Sequence, residues 1–390
     1  MKKLSSINVY NIPHIGGEIK INFEKGKAFL VLTGFNGSGK SRVITSILET
    51  LALVRDHDYV SSASDWVLNI AFEGGGEARA LKMNRGNVPA GKITSRIGEL
   101  MVERFSLKDT FKKASNLISS ETEQTLKSGS LNDDSGNNRN FCGATLYDLS
   151  EPEDLFLEST SVVAYIDDQI HFNYERKLEK IVYEKEPNLN KTLFILISEL
   201  ISSDFVKATV VEKVEDTVKK LMKEFLKGSK KNKNAVPTEE AALSYIHERI
   251  DKQFIINNSA ELFSQNELFR DINLFFKSTN RKMIWNNNRI CLELADGTII
   301  DWYNFSKGEK TLLSLFLMVY LYRDTSVFLM DEPESSLHVE WQRMLFPALM
   351  KMAPNSQFII ATHSPFLVMN TDSEQVINMA KFSMGAKKHG

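Results

Sequence analysis

The chain has 390 residues, enough for one large domain or two, and its hydrophobic and charged fractions are ordinary for a folded globular protein. A formal net charge of −2 argues against a uniformly basic nucleic-acid-binding surface, although a local basic face is compatible with it. Two cysteines far apart in sequence, Cys142 and Cys291, form no metal-spaced cluster and are typical of the cytoplasm, and no apolar run approaches the length of a membrane span.

A phosphate-binding pattern lies near the amino terminus. Residues 28–32 form an apolar run that predicts a buried strand, and residues 42–53 carry apolar side chains at helical spacing. The intervening residues that fit G-x-x-x-x-G-K-[ST] are Gly34, Phe35, Asn36, Gly37, Ser38, Gly39, Lys40 and Ser41. In such a loop backbone N–H groups point inward, the helix N-terminus adds partial positive charge, Lys40 reaches the β- and γ-phosphates, and the Ser41 hydroxyl ligates Mg²⁺. The sequence therefore predicts a nucleotide site.

The segments that follow alternate between strands and a polar loop. Residues 66–72 and 78–83 flank the glycine-rich turn 73–77 and predict an antiparallel hairpin. Residues 127–143 are rich in Ser, Asn, Asp and Gly, which predicts a mobile surface loop. Residues 161–166 predict a short buried strand.

From about residue 174 to residue 283 the pattern becomes helical. Amphipathic helices are predicted at 190–202, 205–226, 239–257 and 261–276. Together they predict a helical subdomain with a short projection rather than a long coiled coil. Lysines cluster at 227–233, after the second helix, where they form either an ordinary solvated surface or a contact for a nucleic-acid backbone.

Strand patterns return after the helical segment. Residues 289–294 and 298–302 flank the dipeptide Asp296-Gly297, which predicts a β-hairpin. A strongly apolar helix is predicted to begin near Ser306. Two parallel strands and the helix between them are then predicted at 326–330, 357–362 and 339–352, respectively.

Charged residues follow both of these parallel strands. The first strand runs directly into Asp331 and Glu332, so that one carboxylate can hold Mg²⁺ while the other polarises an attacking water. The second strand ends at His363, where a γ-phosphate can be sensed. The structural alternatives are an acidic turn after a core strand and a histidine that only packs.

The start of the helix near Ser306 has a similar ambiguity. Ser306 is a good N-cap, which is a purely structural role. The Gly308 backbone, the Ser306 hydroxyl and the helix dipole would also form a cap for an anion, with Lys307 and Glu309 in the same turn.

These motifs, in this order, resemble the Walker A loop, signature, Walker B motif and switch histidine of an ATP-binding-cassette (ABC) ATPase, specifically the RecF/OLD-like branch. The segments that carry the resemblance are 35–41, 305–310, 331–338 and 361–365. It implies an α/β fold: an ABC ATPase head of the P-loop class with a mixed sheet, an antiparallel β subdomain and an inserted α-helical subdomain. The implied boundaries are 1–172 and 285–390 for the two parts of the head and 173–284 for the insert.

The resemblance also implies a mechanism of assembly. Two chains would pair head to tail around two ATP molecules, or form a higher homo-oligomer. Residues 34–41 and Asp331 of one chain would hold ATP and Mg²⁺, and Ser306 through Glu309 of the other would cap the γ-phosphate. Glu332 and His363 would be catalytic, residues 335–337 would form a D-loop that crosses the dimer, and Gln169 is the candidate for a further Mg²⁺ contact.

The biological role implied by the resemblance has three alternatives. ATPases of this kind act as sensor subunits of bacterial anti-phage systems such as PARIS and Septu, and because the sequence ends soon after His363 without a further acidic cluster, we expect any nuclease effector to be a separate polypeptide. A RecF-like DNA-repair clamp is the alternative, favoured by the lysines at 227–233. A transporter motor is disfavoured by Lys307, Glu309, Glu334 and His338, which depart from transporter cassettes.

Overall fold

The computed structural model describes residues 3–12, 15, 17–23, 28–55, 65–86, 88, 90–128, 140–148, 163–166, 189–202, 219–220, 222–224, 266–286, 289–324, 327–369 and 371–382. They divide into two compact units: Met1–Pro187 with Tyr322–Ser335 and Leu345–Gly390, and Asn188–Leu321 with Ser336–Met344. The predicted α/β class is confirmed. The predicted boundaries at 1–172, 173–284 and 285–390 follow sequence motifs, whereas these units follow spatial contacts. The predicted boundaries therefore stay a prediction.

The described strands are β1 (Leu4–Tyr10), β2 (Glu18–Asn22), β3 (Phe29–Thr33), β4 (Trp66–Phe72), β5 (Glu77–Asn84), β6 (Asn140–Tyr147), β7 (Val163–Ile166), β8 (Lys282–Asn286), β9 (Arg289–Glu293), β10 (Ile299–Asp301), β11 (Val327–Asp331), β12 (Gln357–Ala361) and β13 (Val376–Asn378). The described helices are α1 (Lys40–Arg55), α2 (Ala90–Val102), α3 (Leu107–Ser128), α4 (Leu189–Ser202), α5 (Glu267–Phe276), α6 (Lys307–Leu321), α7 (Val339–Met352) and α8 (Pro365–Met369).

A parallel sheet in the first unit positions the predicted site. Its strand order is β13-β3-β12-β11-β7, and every neighbouring pair is parallel. Strands β11 and β12 are buried along their whole length, as expected for continuous apolar runs in a sheet that is covered on both faces. Phe328 stacks on Phe358 across this pair, with ring centroids 5.0 Å apart. Since the strands are parallel, the loops after β3, β11 and β12 all leave from one edge.

An antiparallel sheet forms the other layer of the first unit, in the order β2-β1-β4-β5-β6. The predicted hairpin is confirmed, because β4 and β5 pair from Trp66–Lys82 to Ala71–Glu77. Helix α1 packs against strands of both sheets. It carries the buried carboxylate of Glu49, which accepts a hydrogen bond from Trp66 Nε1 at 3.0 Å and lies 3.7 Å from the fully buried Lys82 Nζ. The pair ties the helix that follows the phosphate loop to the antiparallel sheet.

Two helices, α2 and α3, were not predicted from the sequence. Their apolar faces pack with Val67 and Leu81 in a second hydrophobic core on this sheet. The prediction of a mobile loop over residues 127–143 is wrong at both ends. The reason is that α3 continues through Ser128, and the polar residues from Asn140 onward pair with β5 as strand β6. Residues 129–139 lie outside the described part of the chain.

The second unit contains α4, α5, α6 and the antiparallel sheet β10-β9-β8. The predicted helix at 190–202 and the predicted hairpin around Asp296-Gly297 are both confirmed. The prediction of one helix over 261–276 is wrong at Asn266, because that residue is extended and its side chain caps α5 by accepting from Leu268 N at 2.8 Å.

Parts of the predicted helical insert fall outside the described residues. This holds for the predicted helix at 239–257, for most of the helix at 205–226 and for the lysines at 227–233. Across the described ranges, no helix is both long enough and apolar enough to cross a membrane.

Candidate nucleotide-binding site

The loop between β3 and α1 has the backbone shape that the glycines were predicted to allow. Gly34, Gly37 and Gly39 all have positive φ, a region that side chains disfavour. At Gly39 a Cβ would also lie 2.5 Å from the Ile15 side chain. The loop leads into α1 through a Val43 N–H bond to the Gly39 carbonyl at 3.0 Å. The first turn of α1 contains no acidic residue, so its N-terminal partial charge is not neutralised there.

The Lys40 side chain lies inside this loop. Its Nζ donates to the carbonyl oxygens of Gly34 and Phe35, at 3.2 and 3.4 Å. Burial lowers the pKa of Lys40, and the nearby charges of Glu332, Asp331 and Glu334 partly oppose that shift. The lysine is therefore a buried side chain close to the carboxylates at and just after the end of β11.

The carboxylate at the end of β11 and the one directly after it differ in environment. Asp331 is the last residue of the strand and is buried. Glu332 is about one-third exposed, and its backbone has a φ of 48°, in the left-handed region that is uncommon for a non-glycine residue. Its backbone N–H bonds to the Ala361 carbonyl at 2.8 Å. Strained backbone of this kind clusters at functional sites.

His363 follows β12 and links the other two segments. Its Nε2 lies 2.7 Å from Lys40 Nζ and 3.1 Å from Glu332 Oε1. Nε2 can accept a hydrogen bond from the Lys40 ammonium in one tautomer or donate one to the Glu332 carboxylate in the other. Three predicted functional side chains from three separate loops thus meet at one edge of the parallel sheet.

This arrangement fits the phosphate groups of a nucleoside triphosphate. The Ser38 hydroxyl is fully buried, and no described residue forms a hydrogen bond with its Oγ. The neighbouring loop residues Phe35, Asn36 and Gly37 are exposed, as is Ser41 at the start of α1. A phosphate bound at this loop would meet positive φ backbone, a helix N-terminus, a lysine and an imidazole, all of which favour an anion.

The predicted signature residues lie at the start of α6 in the second unit. Ser306 and Glu309 form a capping box, with Ser306 N donating to Glu309 Oε2 at 2.7 Å and Glu309 N donating to Ser306 Oγ at 3.3 Å. Arg281 Nη1 lies 2.5 Å from the second oxygen of Glu309. Glu309 is thus used within the chain, while Ser306 and Lys307 are exposed. Nucleotide contacts by residues 306–309 stay a prediction.

Position 308 requires glycine because the backbone there lies close to the predicted D-loop. A Cβ at this position would lie 2.8 Å from the Ser336 carbonyl oxygen, nearer than real Cβ contacts. Signature and D-loop are therefore packed together in the second unit. Two residues that were not predicted as part of the site also contact it: Arg281 binds Glu309, and Glu334 accepts from Thr362. Gln169, the predicted further Mg²⁺ contact, lies outside the described residues.

Comparisons with known proteins agree with this chemistry. Residues 211–370 match the family model described as "AAA domain, putative AbiEii toxin, Type IV TA system". The matched range begins after the phosphate loop and includes Glu332 and His363. The chain is 24% identical over 96% of its length to the Retron Vc95 probable ATPase of Vibrio cholerae serotype O1 biovar El Tor, of which 73% is covered.

A second relative is the Retron Ec83 probable ATPase of Escherichia coli, 24% identical over 44% of this chain; the match spans only 34% of that protein. Among solved structures, the Smc head domain derived from Pyrococcus furiosus, bound to the C-terminal domain of ScpA, aligns with a TM-score of 0.43 and 15% identity, covering 95% of this chain and 92% of that one. The SMC head domain from Thermotoga maritima aligns with a TM-score of 0.41 and 12% identity over the same shares.

The phosphate loop, the parallel sheet and the residues that follow β11 and β12 define the class. This chain is an α/β P-loop ATPase.

Proposed function

We propose that the chain is the regulatory ATPase of a bacterial anti-phage defence system, that it dimerises head to tail around two ATP molecules, and that it controls a nuclease effector supplied as a separate polypeptide in the cytoplasm. The observation that carries the proposal is the convergence of Lys40, Glu332 and His363, in which His363 Nε2 lies within 3.1 Å of both other side chains. A lysine that can bind phosphate, a carboxylate that can accept a proton from water and an imidazole that can contact the γ-phosphate together suit the hydrolysis of ATP.

Each side chain has a distinct task in the proposed reaction. Lys40 binds the β- and γ-phosphates, Glu332 accepts a proton from the attacking water, and His363 contacts the γ-phosphate. Mg²⁺, when bound, neutralises phosphate charge, and it would be held by Ser41 and Asp331, with Gln169 as the further candidate. Mg²⁺ is usually held in this way, by one or two carboxylates together with substrate phosphates.

The proposed dimer is supported by the second unit. Ser306 and Lys307 are exposed at a helix N-terminus whose capping box is otherwise complete. Gly308 packs on the Ser336 carbonyl, so the signature and the D-loop present a continuous surface. The capping residues of one chain would then close on the phosphate loop of its partner.

The defence role is supported by the relatives, two of which are named as retron ATPases. A motor for a membrane transporter receives no such support. That the effector is a separate chain is part of the proposal, and the co-purification described below tests it.

The first experiment tests the ATPase site and the dimer together. Glu332→Gln should bind ATP, hydrolyse it about 10²- to 10⁴-fold more slowly, and accumulate as a closed dimer or larger assembly measured by light scattering. Glu340→Gln, which removes an exposed carboxylate on α7, is the control and should hydrolyse ATP normally. Wild-type turnover by Glu332→Gln would show that the base is misassigned.

The second experiment tests the role in the cell. The tagged native chain, expressed with its genomic neighbours, should co-purify with a nuclease, and the same cells should resist phage in plaque assays. Lys40→Ala should abolish the resistance. Phage resistance that persists in Lys40→Ala would show that defence does not depend on the ATPase site.

A RecF-like DNA clamp is the second candidate. It is favoured by Lys219, Lys220 and Lys223, which are exposed helical residues directly before the lysine-rich segment 227–233. Lysine contacts to phosphate make binding fall steeply with salt. ATP-dependent, salt-sensitive binding of duplex DNA by the isolated chain, lost when these lysines are replaced by alanine, would favour the clamp over the defence sensor.

A further inference from the structure

The proposed reaction requires the loops after β11 and β12 to hold the Glu332 and His363 side chains close together. The two side chains lie 3.1 Å apart but belong to segments about thirty residues apart in sequence. One backbone hydrogen bond, from Glu332 N to the Ala361 carbonyl at 2.8 Å, joins the loops at their base. A single bond at the base leaves the far end of the β12 loop, where His363 sits, to be held by other contacts.

Glu334 supplies such a contact. Its side chain is only 4% exposed, although carboxylates are rarely buried to this extent. Its Oε1 accepts a hydrogen bond from the hydroxyl of Thr362, a fully buried residue of the β12 loop. That hydroxyl oxygen in turn accepts from Ser364 N at 2.8 Å. The chain of bonds from Glu334 thus reaches the residues on both sides of His363.

The direction of these bonds is set by the hydroxyl group. A threonine hydroxyl has one hydrogen, and since its oxygen accepts from Ser364 N, the hydrogen is available to Glu334. Burial raises the pKa of Glu334 to about 7, with the neighbouring charge of Glu332 adding to the shift. A buried carboxyl group without a hydrogen-bond partner destabilises the fold. Breaking the bond to Thr362 is therefore unfavourable.

We propose that Glu334 is a positioning residue for ATP hydrolysis: through Thr362 it holds the His363 loop against the Glu332 loop. The proposal rests on the functions proposed above for Glu332 and His363. This role requires no contact between Glu334 and ATP or the attacking water. Its contribution is to fix two reacting groups that would otherwise sit on independently moving loops, and small displacements of such groups lower the rate strongly.

Four variants of the full-length chain separate this role from alternatives. Glu334→Gln keeps an oxygen that can accept from Thr362, whereas Glu334→Ala removes it. Thr362→Ser keeps the hydroxyl, whereas Thr362→Val removes it and preserves the shape. Each variant is compared with wild type for kcat, for KM and for the number of ATP molecules bound per chain, so that a loss of folded protein is not counted as a loss of rate.

The expected result is a drop in kcat of about 10- to 100-fold for Glu334→Ala and Thr362→Val, with KM and ATP stoichiometry unchanged. Glu334→Gln and Thr362→Ser should stay within about threefold of wild type, a margin set by the usual spread in the effect of one retained hydrogen bond. The double variant with both Ala and Val should be no slower than Thr362→Val alone, because that variant already removes the bond to Glu334.

Three outcomes would overturn the proposal. They are wild-type kcat in Thr362→Val, equal loss in Glu334→Gln and Glu334→Ala, and additive losses in the double variant. Should Glu334→Ala fail to fold, the comparison of Thr362→Val with Thr362→Ser decides alone. Glu332→Gln is measured alongside: if it turns over ATP normally, the proposed catalytic base is wrong, and if it is slow while Thr362→Val is fast, only the positioning role is wrong.

Discussion

The Nζ of Lys40 lies 2.7 Å from the Nε2 of His363, so the phosphate loop and the loop after β12 are in direct side-chain contact. Strand β12 is the immediate parallel neighbour of β3, and the two residues follow these strands at the same edge of the sheet. A phosphate oxygen bound at this edge would contact the lysine and the imidazole at once. Two predictions separate the contributions of the pair.

Replacing Lys40 with alanine should abolish tight nucleotide binding. The variant removes a charge-assisted contact worth about 1.5 to 3 kcal/mol, so the Kd for ATP should rise about 10- to 100-fold or more in calorimetric titrations. Lys20→Ala, which removes an exposed lysine from β2, is the matched control and should bind ATP as wild type does. An unchanged Kd for Lys40→Ala would count against the loop as the phosphate site.

Replacing His363 with alanine should affect ATP and ADP differently. If the imidazole contacts only the γ-phosphate, the variant should bind ADP with wild-type affinity and lose about tenfold in affinity for a non-hydrolysable ATP analogue. Both nucleotides are titrated by calorimetry under the same conditions. An equal loss for both would mean that His363 supports the loop as a whole and does not sense the γ-phosphate.

The sequence predicted the site better than it predicted its surroundings. Continuous apolar runs identified β3, β11 and β12, and the motif residues sit at their carboxyl ends because parallel strands bring those ends to one edge. The confirmed helix at 339–352 has clear amphipathic spacing. Elements with strong local patterns of this kind can be predicted without knowledge of their contacts in the fold.

Other elements depend on partners that are distant in sequence. Residues 140–143 were predicted as part of a polar loop, yet they begin strand β6 because they pair with β5. The contacts of Glu309 with Ser306 N and Arg281 were not predicted, and its contact with nucleotide stays a prediction. Glu334 received no catalytic role because its partner Thr362 lies 28 residues away. Such pairings become visible only once the chain is folded.

Replacing Gly308 with alanine should uncouple ATP binding from dimerisation. The added Cβ would lie 2.8 Å from the Ser336 carbonyl oxygen, so either the start of α6 or the D-loop must shift. ATP should still bind, while ATP-driven assembly, measured by light scattering in the Glu332→Gln background, should be lost. Gly98→Ala in α2, where a Cβ meets nothing within 4 Å, is the control and should assemble normally. Normal assembly by Gly308→Ala would argue against this surface as the dimer contact.

The buried carboxyl of Glu334 should make stability fall as pH rises. Burial raises its pKa in the folded chain from an ordinary value of 4.5 to about 7, so between these values the folded state binds more protons than the unfolded state. The stabilising contribution of the protonated form is therefore complete below about pH 4.5 and is lost as the pH rises to about 7. The rise in the pKa of Glu334 from 4.5 to about 7 corresponds to a total change of about 3 to 4 kcal/mol.

This pH effect is best measured as a difference between wild type and Glu334→Gln in denaturant unfolding, without nucleotide or divalent metal. Other carboxylates contribute equally to both proteins and cancel. The variant should gain stability relative to wild type as the pH is raised from 5 to 8, and the difference should level off above about pH 7 because Glu334 is then ionised in both states. Glu340→Gln, which removes a solvent-exposed carboxyl, controls for the loss of one acidic group. A relative stability of Glu334→Gln that does not change over this range would show that Glu334 is not desolvated in the folded protein.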